Sequence, residues 1–296
     1  MTSRTAGRAP GISFEFFPPR TPATALNLWR SVERLAPLAP DFVSVTSGAG
    51  GTTRERTLAA IAAIRDRAGL DVAGHLTCVG ATRDETLAVA RSYRAMGCAR
   101  IVALRGDPPK GADRFIPHPD GFGSAVELVE ALARETGHHI TVSAYPEKHP
   151  EAASLQADIE NLKRKLDAGA ADAITQFFFD NEIFLRFRDA CADAGISAPI
   201  HPGILPIENL EKMRRFAAGC GATVPDWLGE AYAPVKDEAG RMALSIEIAA
   251  RQCLELASEG VAHLHIYTLN NPDLAYEVCR AIGVEPRVAA PVAAAS

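Results

Sequence analysis

The sequence predicts a single α/β domain, a (β/α)8 TIM barrel, and three observations carry that prediction. Short runs rich in β-branched and aromatic residues alternate eight times with longer segments of helical period, the pattern of a parallel sheet wrapped in helices. At 296 residues the chain can bury one barrel core, and eight units suit closure better than an open doubly wound sheet. Glycine ends the helical segments at Gly69, Gly97, Gly137, Gly169, Gly195 and Gly260, where a C-terminal cap calls for positive φ.

The first strand is read at 12 to 17. Its alternation sets Ile12, Phe14 and Phe16 on one face and Ser13, Glu15 and Phe17 on the other, and Pro18 and Pro19 stop it. A carboxylate thus stands inside a strand, where burial without a partner is costly or raises its pKa; the alternative is an exposed Glu on an edge strand. The other strands are read at 42 to 47, 71 to 78, 100 to 106, 140 to 145, 173 to 179, 199 to 204 and 263 to 269. Helices fall near 22 to 36, 53 to 68, 83 to 97, 123 to 136, 151 to 168, 181 to 194, 208 to 218 and 238 to 259. Thr82 and Glu85 have capping-box spacing, and Asn181-Glu182 opens a helix. In helix 151 to 168, Leu155, Ile159, Leu162 and Leu166 mark the core face. Residues 221 to 237 extend the connection before the last strand, and Trp227 and Tyr232 suggest an ordered excursion there. The barrel is expected to occupy 12 to 283, between a flexible N-terminus (1 to 11) and a flexible Ala/Pro tail (284 to 296).

A formal net charge of -5 with no Lys/Arg block argues against nucleic acid as a partner. No apolar run of about 18 residues and no signal-peptide pattern occurs, so a cytoplasmic protein without a membrane partner is expected. The six cysteines show no zinc spacing, and no metal is expected; they read as reduced packing residues, with Cys78, at a strand end, a candidate to line a site.

In a barrel the site lies at the C-terminal ends of the strands, and here those ends are polar. They carry Glu15; Thr46 and Ser47 before Gly48-Ala49-Gly50-Gly51; His75 and Thr77; Arg105-Gly106-Asp107; Tyr145-Pro146-Glu147-Lys148-His149; Gln176; and Tyr267 with Asn270. The glycine loop matches neither dinucleotide nor Walker spacing, and without G-x-S-x-G acyl transfer is not favoured. A lone His75 in a strand is more often a hydrogen-bonded core histidine than a site residue. Asp158, Asn161 and Lys165 form a stripe roughly 100° around from the apolar face of their helix, either a solvated flank or a second wall of the site.

These motifs together resemble methylenetetrahydrofolate reductase of the short bacterial type. They are Ser13-Phe14-Glu15-Phe16-Phe17-Pro18-Pro19-Arg20, His75-Leu76-Thr77-Cys78, Leu104-Arg105-Gly106-Asp107, Tyr145-Pro146-Glu147-Lys148-His149-Pro150-Glu151, Thr175-Gln176-Phe177-Phe178-Phe179-Asp180, Pro202-Gly203-Ile204-Leu205-Pro206 and Tyr267-Thr268-Leu269-Asn270. The resemblance implies an FAD-containing barrel, refilled by NADH or NADPH in a ping-pong cycle, that reduces 5,10-methylenetetrahydrofolate to 5-methyltetrahydrofolate. It implies Glu15 as general acid, and Asp107 as a carboxylate near both flavin and pterin. Gln176 and Phe216 are implied as folate contacts, and Thr46, His75, Arg105, Gly106, Tyr145, His149, Asp158, Asn161, Arg164 and Lys165 as flavin contacts. A homo-oligomer is also implied.

Three positions depart from the pattern. Ser47 stands where a larger residue linked to nicotinamide stacking is often found, Lys212 where a folate-contacting Gln occurs, and Asn271 where Arg is common. Lys212 with Arg214 or Arg215 still offers cations to a glutamate tail. Desolvation among phenylalanines, reinforced by Asp107, is expected to raise the Glu15 pKa and keep its proton in place. The rival readings are a barrel reduced by a partner protein and a folate- or flavin-binding subunit of low turnover.

Overall fold

The computed structural model describes residues 9–47, 51–108 and 114–287, and no side chains at 51–53. Eight parallel strands close into a barrel in sequence order: β1 (Gly11–Phe16), β2 (Phe42–Val45), β3 (Val72–Thr77), β4 (Arg100–Leu104), β5 (His139–Ala144), β6 (Asp172–Phe177), β7 (Ile200–Ile204) and β8 (His263–Tyr267). The helices are α1 (Pro22–Leu35), α2 (Gly51–Ala68), α3 (Arg83–Ala95), α4 (Ala125–Glu135), α5 (Leu155–Asp167), α6 (Asn181–Asp193), α7 (Leu210–Cys220), α8 (Asp226–Tyr232), α9 (Glu238–Ser258) and α10 (Pro272–Ala281). No described helix is long and apolar enough to cross a membrane.

Two layers of burial follow from the period-two alternation of the strands. Facing outward, Ile12, Phe14 and Phe16 join Leu28, Val32 and Leu35 of α1 in the main apolar cluster. Facing inward, Phe42, Ala73, Val102 and Ile174 make a small apolar layer, while Ser13, Ser44, Thr141, Asp172 and His265 are buried polar groups. A barrel interior with so many polar side chains is costly unless they satisfy one another, and several of them do.

Local signals set the helix starts. Thr21 and Thr24 form a capping box that spans Pro22, Thr82 and Glu85 form the expected one, and Ser154 and Asp180 cap α5 and α6. The six glycines named above all take positive φ.

The strands are shorter than the sequence suggests. β3, β4, β6 and β8 stop at Thr77, Leu104, Phe177 and Tyr267, one to two residues before the ends the alternation suggests. The excursion at 221 to 237 contains α8, whose Leu228 and Tyr232 are buried. The segment after β8, which the sequence left without a helix, forms α10; Pro272 sits in its first turn, and Leu274, Ala275, Val278 and Cys279 are buried. At the chain ends, Gly11 already belongs to β1, Val284 is buried, and the Arg287 N–H donates to the Pro37 carbonyl at 2.7 Å. Residues 1–8 and 288–296, most of the expected flexible ends, lie outside the described residues.

Phe14 is completely buried between barrel and helices. Phe14→Ala is expected to cost about 3–5 kcal/mol of unfolding free energy, read as a lower urea midpoint at unchanged m-value.

Candidate active site

The ends of β3 to β6 and one face of α5 enclose a cavity of about 870 Å³ at the C-terminal mouth. Its wall carries Arg105, Gly106, Asp107, Tyr145, His149, Asp158, Asn161, Lys165, Gln176 and Ser47 of the expected site, together with Arg20, Thr77 and Glu151. The loop part Gly48–Gly50 lies outside the described residues.

The α5 stripe is a wall and not a solvated flank. Asp158 and Lys165 are buried, at 8% and 3% exposure. Asp158 accepts the His149 N–H at 2.7 Å, and the Lys165 ammonium donates to the Ser143 carbonyl. Burial pushes the Lys165 amine down to about 8, against the opposing pull of Asp158. Arg105 grips Glu151 in a two-pronged ion pair, at 2.5 and 3.1 Å, and its guanidinium lies over the Phe115 ring. Tyr145 meets His149 edge-on at 4.7 Å, and burial, followed by Arg105, pushes the His149 imidazole down. Gly106 turns the chain with φ +88°, and a Cβ there would lie 2.6 Å from Val79 and 3.0 Å from Thr77.

Glu15 stands inside the barrel at 15% side-chain exposure. Its Oε2 is 3.3 Å from His75 Nε2, off the line a hydrogen bond requires, and 3.9 Å from His265 Nε2, beyond hydrogen-bond reach. Thr77, the next inward residue of β3 after His75, is on the cavity wall, which places Glu15 one step below it. The expected rise in the Glu15 pKa is overturned. Burial does push the carboxyl up, but His265 and His75 together outweigh it and hold the carboxyl down at about 2. Asp107 is not among the groups that act on it. Burial in turn pushes the His265 imidazole down.

On the other flank, Phe216 of α7 stacks on Phe177 at 5.4 Å and 20°, and stays 44% exposed. The Gln176 side-chain carbonyl accepts the Phe177 N–H at 3.0 Å. Asn271 lines a small recess with Glu208 and Thr268, and Lys212 is exposed on α7. Four expected residues are off the cavity wall in a telling way. Arg164 is exposed and donates to Asn161 at 3.1 Å; the Thr46 carbonyl accepts from Thr57; His75 faces Glu15; and Glu15 itself lies deeper. Cys78 is fully buried, donates to the Leu104 and Ser124 carbonyls and is absent from the wall; all six cysteines are free. No cluster of three metal-ligating groups occurs among the described residues.

The sequence reading missed His265, His263 and Ser13 inside the barrel and Arg20 and Glu151 on its rim. The signal was present in His263-Leu264-His265-Ile266-Tyr267, where alternation sets three polar rings on one face of the strand that pairs with Ser13 and Glu15.

A closed (β/α)8 barrel with a buried acid, a cationic wall and an aromatic stack at one mouth belongs to the class of barrel enzymes. A sequence model described as Methylenetetrahydrofolate reductase matches residues 1–283. The 5,10-methylenetetrahydrofolate reductase of Escherichia coli K12 is 47% identical over 276 residues, covering 93% of this chain and 91% of that protein. The Arabidopsis thaliana methylenetetrahydrofolate reductase (NADH) 1 is 37% identical over 271 residues, 88% of this chain and 46% of the longer plant protein. Among solved structures, a Clostridium thermocellum protein described as binding two copies of 5-methyl-5,6,7,8-tetrahydrofolic acid shares the fold at TM-score 0.58 and 15% identity, over 92% of this chain and 94% of that one. The chain therefore belongs to the methylenetetrahydrofolate reductase family, oxidoreductases that reduce methylenetetrahydrofolate to methyltetrahydrofolate.

Because His75 is one of two groups holding Glu15 ionised, His75→Leu should raise the Glu15 pKa from about 2 toward or past 4.5, read by 13C NMR of the carboxyl. The ionised Glu15 stabilises the native protein fully above its ordinary 4.5, and this is lost as pH falls through about 2; in the variant the loss should come at higher pH.

Proposed function

We propose that the chain reduces 5,10-methylenetetrahydrofolate with a bound FAD that NADH or NADPH refills, and that Glu15 supplies the proton the reaction consumes. The observation that carries this reading is the inward carboxylate of Glu15, one strand step below the cavity wall and flanked by two imidazoles. Mere binding of a folate does not need such a group.

The residues present fit a flavin dinucleotide. The cavity is large, Arg105, His149 and Lys165 offer cationic or donor groups to phosphates, and the bare Gly106 turn allows a flat ring to approach closely. A flavin bound there supplies the hydride. The protein's own part is to hold, orient and protonate the folate. Phe177 and Phe216 provide a stacked aromatic surface for a pterin ring, and Gln176, with its carbonyl engaged by Phe177, keeps its amide donors for that ring. Lys212 and Arg215, exposed on α7, offer charge to the glutamate tail.

Glu15 must carry a proton at the moment of transfer, yet in the open barrel it is ionised. Burial is already the largest single influence on it and acts upward. Rings stacked over the mouth exclude more water and push in the same direction, so covering the site moves the proton onto the carboxylate.

Glu15→Gln should leave reduction of the flavin by nicotinamide at its normal rate and slow folate reduction by roughly 10²–10⁴-fold, as loss of a general acid does. Stopped-flow traces of each half-reaction separate the two, with NADH and NADPH tried in turn; normal folate turnover in the variant would sink the reading. Arg105→Ala should weaken FAD binding roughly ten- to a hundredfold, the loss of a charge-assisted contact, measured by titrating apoprotein with FAD.

A further inference from the structure

Below Glu15 the barrel interior holds a run of hydrogen bonds that the folate chemistry does not itself require. His265 uses Nε2 toward Glu15 and Nδ1 toward the Ser13 hydroxyl, 2.7 Å away. The same hydroxyl lies 2.9 Å from His263 Nε2, and His263 Nδ1 lies 3.0 Å from the Asp41 carboxylate. Asp41 is 61% exposed at the foot of β2, on the face of the barrel opposite the cavity. Each imidazole thus has one nitrogen pointing up the barrel and the other down.

The surroundings keep this column in line. Phe42 stacks beside both rings, at 5.9 Å from His263 and 6.1 Å from His265, and Tyr267 meets His265 edge-on. Gly11 is bare where it matters: a Cβ there would lie 2.6 Å from Asp41 Oδ2 and 2.9 Å from His263 Nδ1. The charged and titratable neighbours are few. His75 on β3 faces Glu15, and His201 on β7 packs against His263 at 4.7 Å. Asp172 on β6 holds His201 at 3.5 Å and His139 of β5 at 2.8 Å, and Arg100 on β4 lies over Phe42 while paired with Asp71.

We propose that Asp41, His263, Ser13 and His265 form a proton path through the barrel, returning to Glu15, from water at the N-terminal mouth, the proton that each turnover takes from it. The proposal rests on Glu15 as the proton donor to folate. Once Glu15 has given its proton it is a carboxylate, and it takes one from His265 Nε2 when the two close the 3.9 Å that separates them at rest. His265 takes one on Nδ1 from the Ser13 hydroxyl, Ser13 takes one from His263 Nε2, and His263 takes one on Nδ1 from water or Asp41. No electron moves, and the net change is one proton carried from solvent to Glu15. The path answers a geometric need, because rings stacked at the upper mouth cover the short route to water. Burial, then His201, pushes the His263 imidazole down to about 4, so this ring passes a proton on without retaining it. None of the four residues touches the folate; all act through Glu15.

The experiment uses the full, flavin-loaded chain, with Ser13→Ala to break the column at its centre and Gly11→Ala to disturb its foot without removing a titratable group. At rest Glu15 is ionised and gains its proton only as the mouth is covered, so folate reduction in Ser13→Ala should fall about tenfold from the first turnover onward and gain a larger solvent isotope effect, while reduction of the flavin by nicotinamide keeps its wild-type rate. A second readout needs neither cofactor nor substrate. In 15N-histidine NMR of the cofactor-free protein, Asp41→Asn should shift both His263 and His265, and in the Ser13→Ala background only His263. Unchanged folate reduction in Ser13→Ala, or a His265 signal indifferent to Asp41, would overturn the path. A Glu15→Gln protein that still reduces folate would instead overturn the acid assignment and leave the NMR coupling intact.

Discussion

Closure of the barrel between β1 and β8 is the constraint on which the site depends. In that register Ser13 faces His265 and Glu15 faces Tyr267, so residues about 250 positions apart share one interior column. Neighbouring contacts lock the same seam. Thr268 donates to the Glu15 carbonyl, and the Asn270 side chain both accepts from the Phe17 N–H and donates to the Phe17 carbonyl. A one-residue slip would turn every inward group of β1 outward, exchanging Ser13 and Glu15 for Phe14 and Phe16. Register and chemistry are therefore the same property of this chain.

A buried carboxylate in such an interior is set by its neighbours more than by its burial. Phenylalanines flank Glu15 in sequence, yet they face the helices, and the groups that share its space are imidazoles from β3 and β8. Inside the barrel one small apolar layer shares the space with buried polar side chains, where aliphatic layers are usual in this fold, and several of those polar groups hydrogen-bond to one another. Stability is left to the outer layer, where Phe14, Phe16 and the helix faces bury their apolar surface.

Strand and helix order was legible in the sequence because alternation, capping residues and terminal glycines all report on local geometry. The polar strand ends were legible for the same reason, since position in a strand fixes which residues reach the mouth. What stayed hidden was pairing across the closure. His263 and His265 have no local signature beyond alternation, and their meaning arises only when β8 lies against β1. The sign of the Glu15 shift was misread on that account, for sequence neighbours were taken as spatial ones. α10 escaped notice because Pro272 follows two asparagines, a pattern that also ends a strand in a loop. The α5 stripe shows the reverse case: spacing alone favours a solvated flank, and the burial of Asp158 and Lys165 decides for the wall.

The pair of Arg105 and Glu151 carries a consequence for selectivity. The guanidinium at the cavity wall is already engaged by a carboxylate through two hydrogen bonds, so an arriving anion exchanges with a resident partner instead of filling an open charge. The gain on binding is then a difference between two ion pairs, small for any simple carboxylate and larger for a group that offers more oxygens or further contacts along α5. Glu151 acts in this way as an internal competitor. On the proposed flavin reading it sets a threshold against weak anions from the surrounding solution and holds the arginine in place before a dinucleotide arrives.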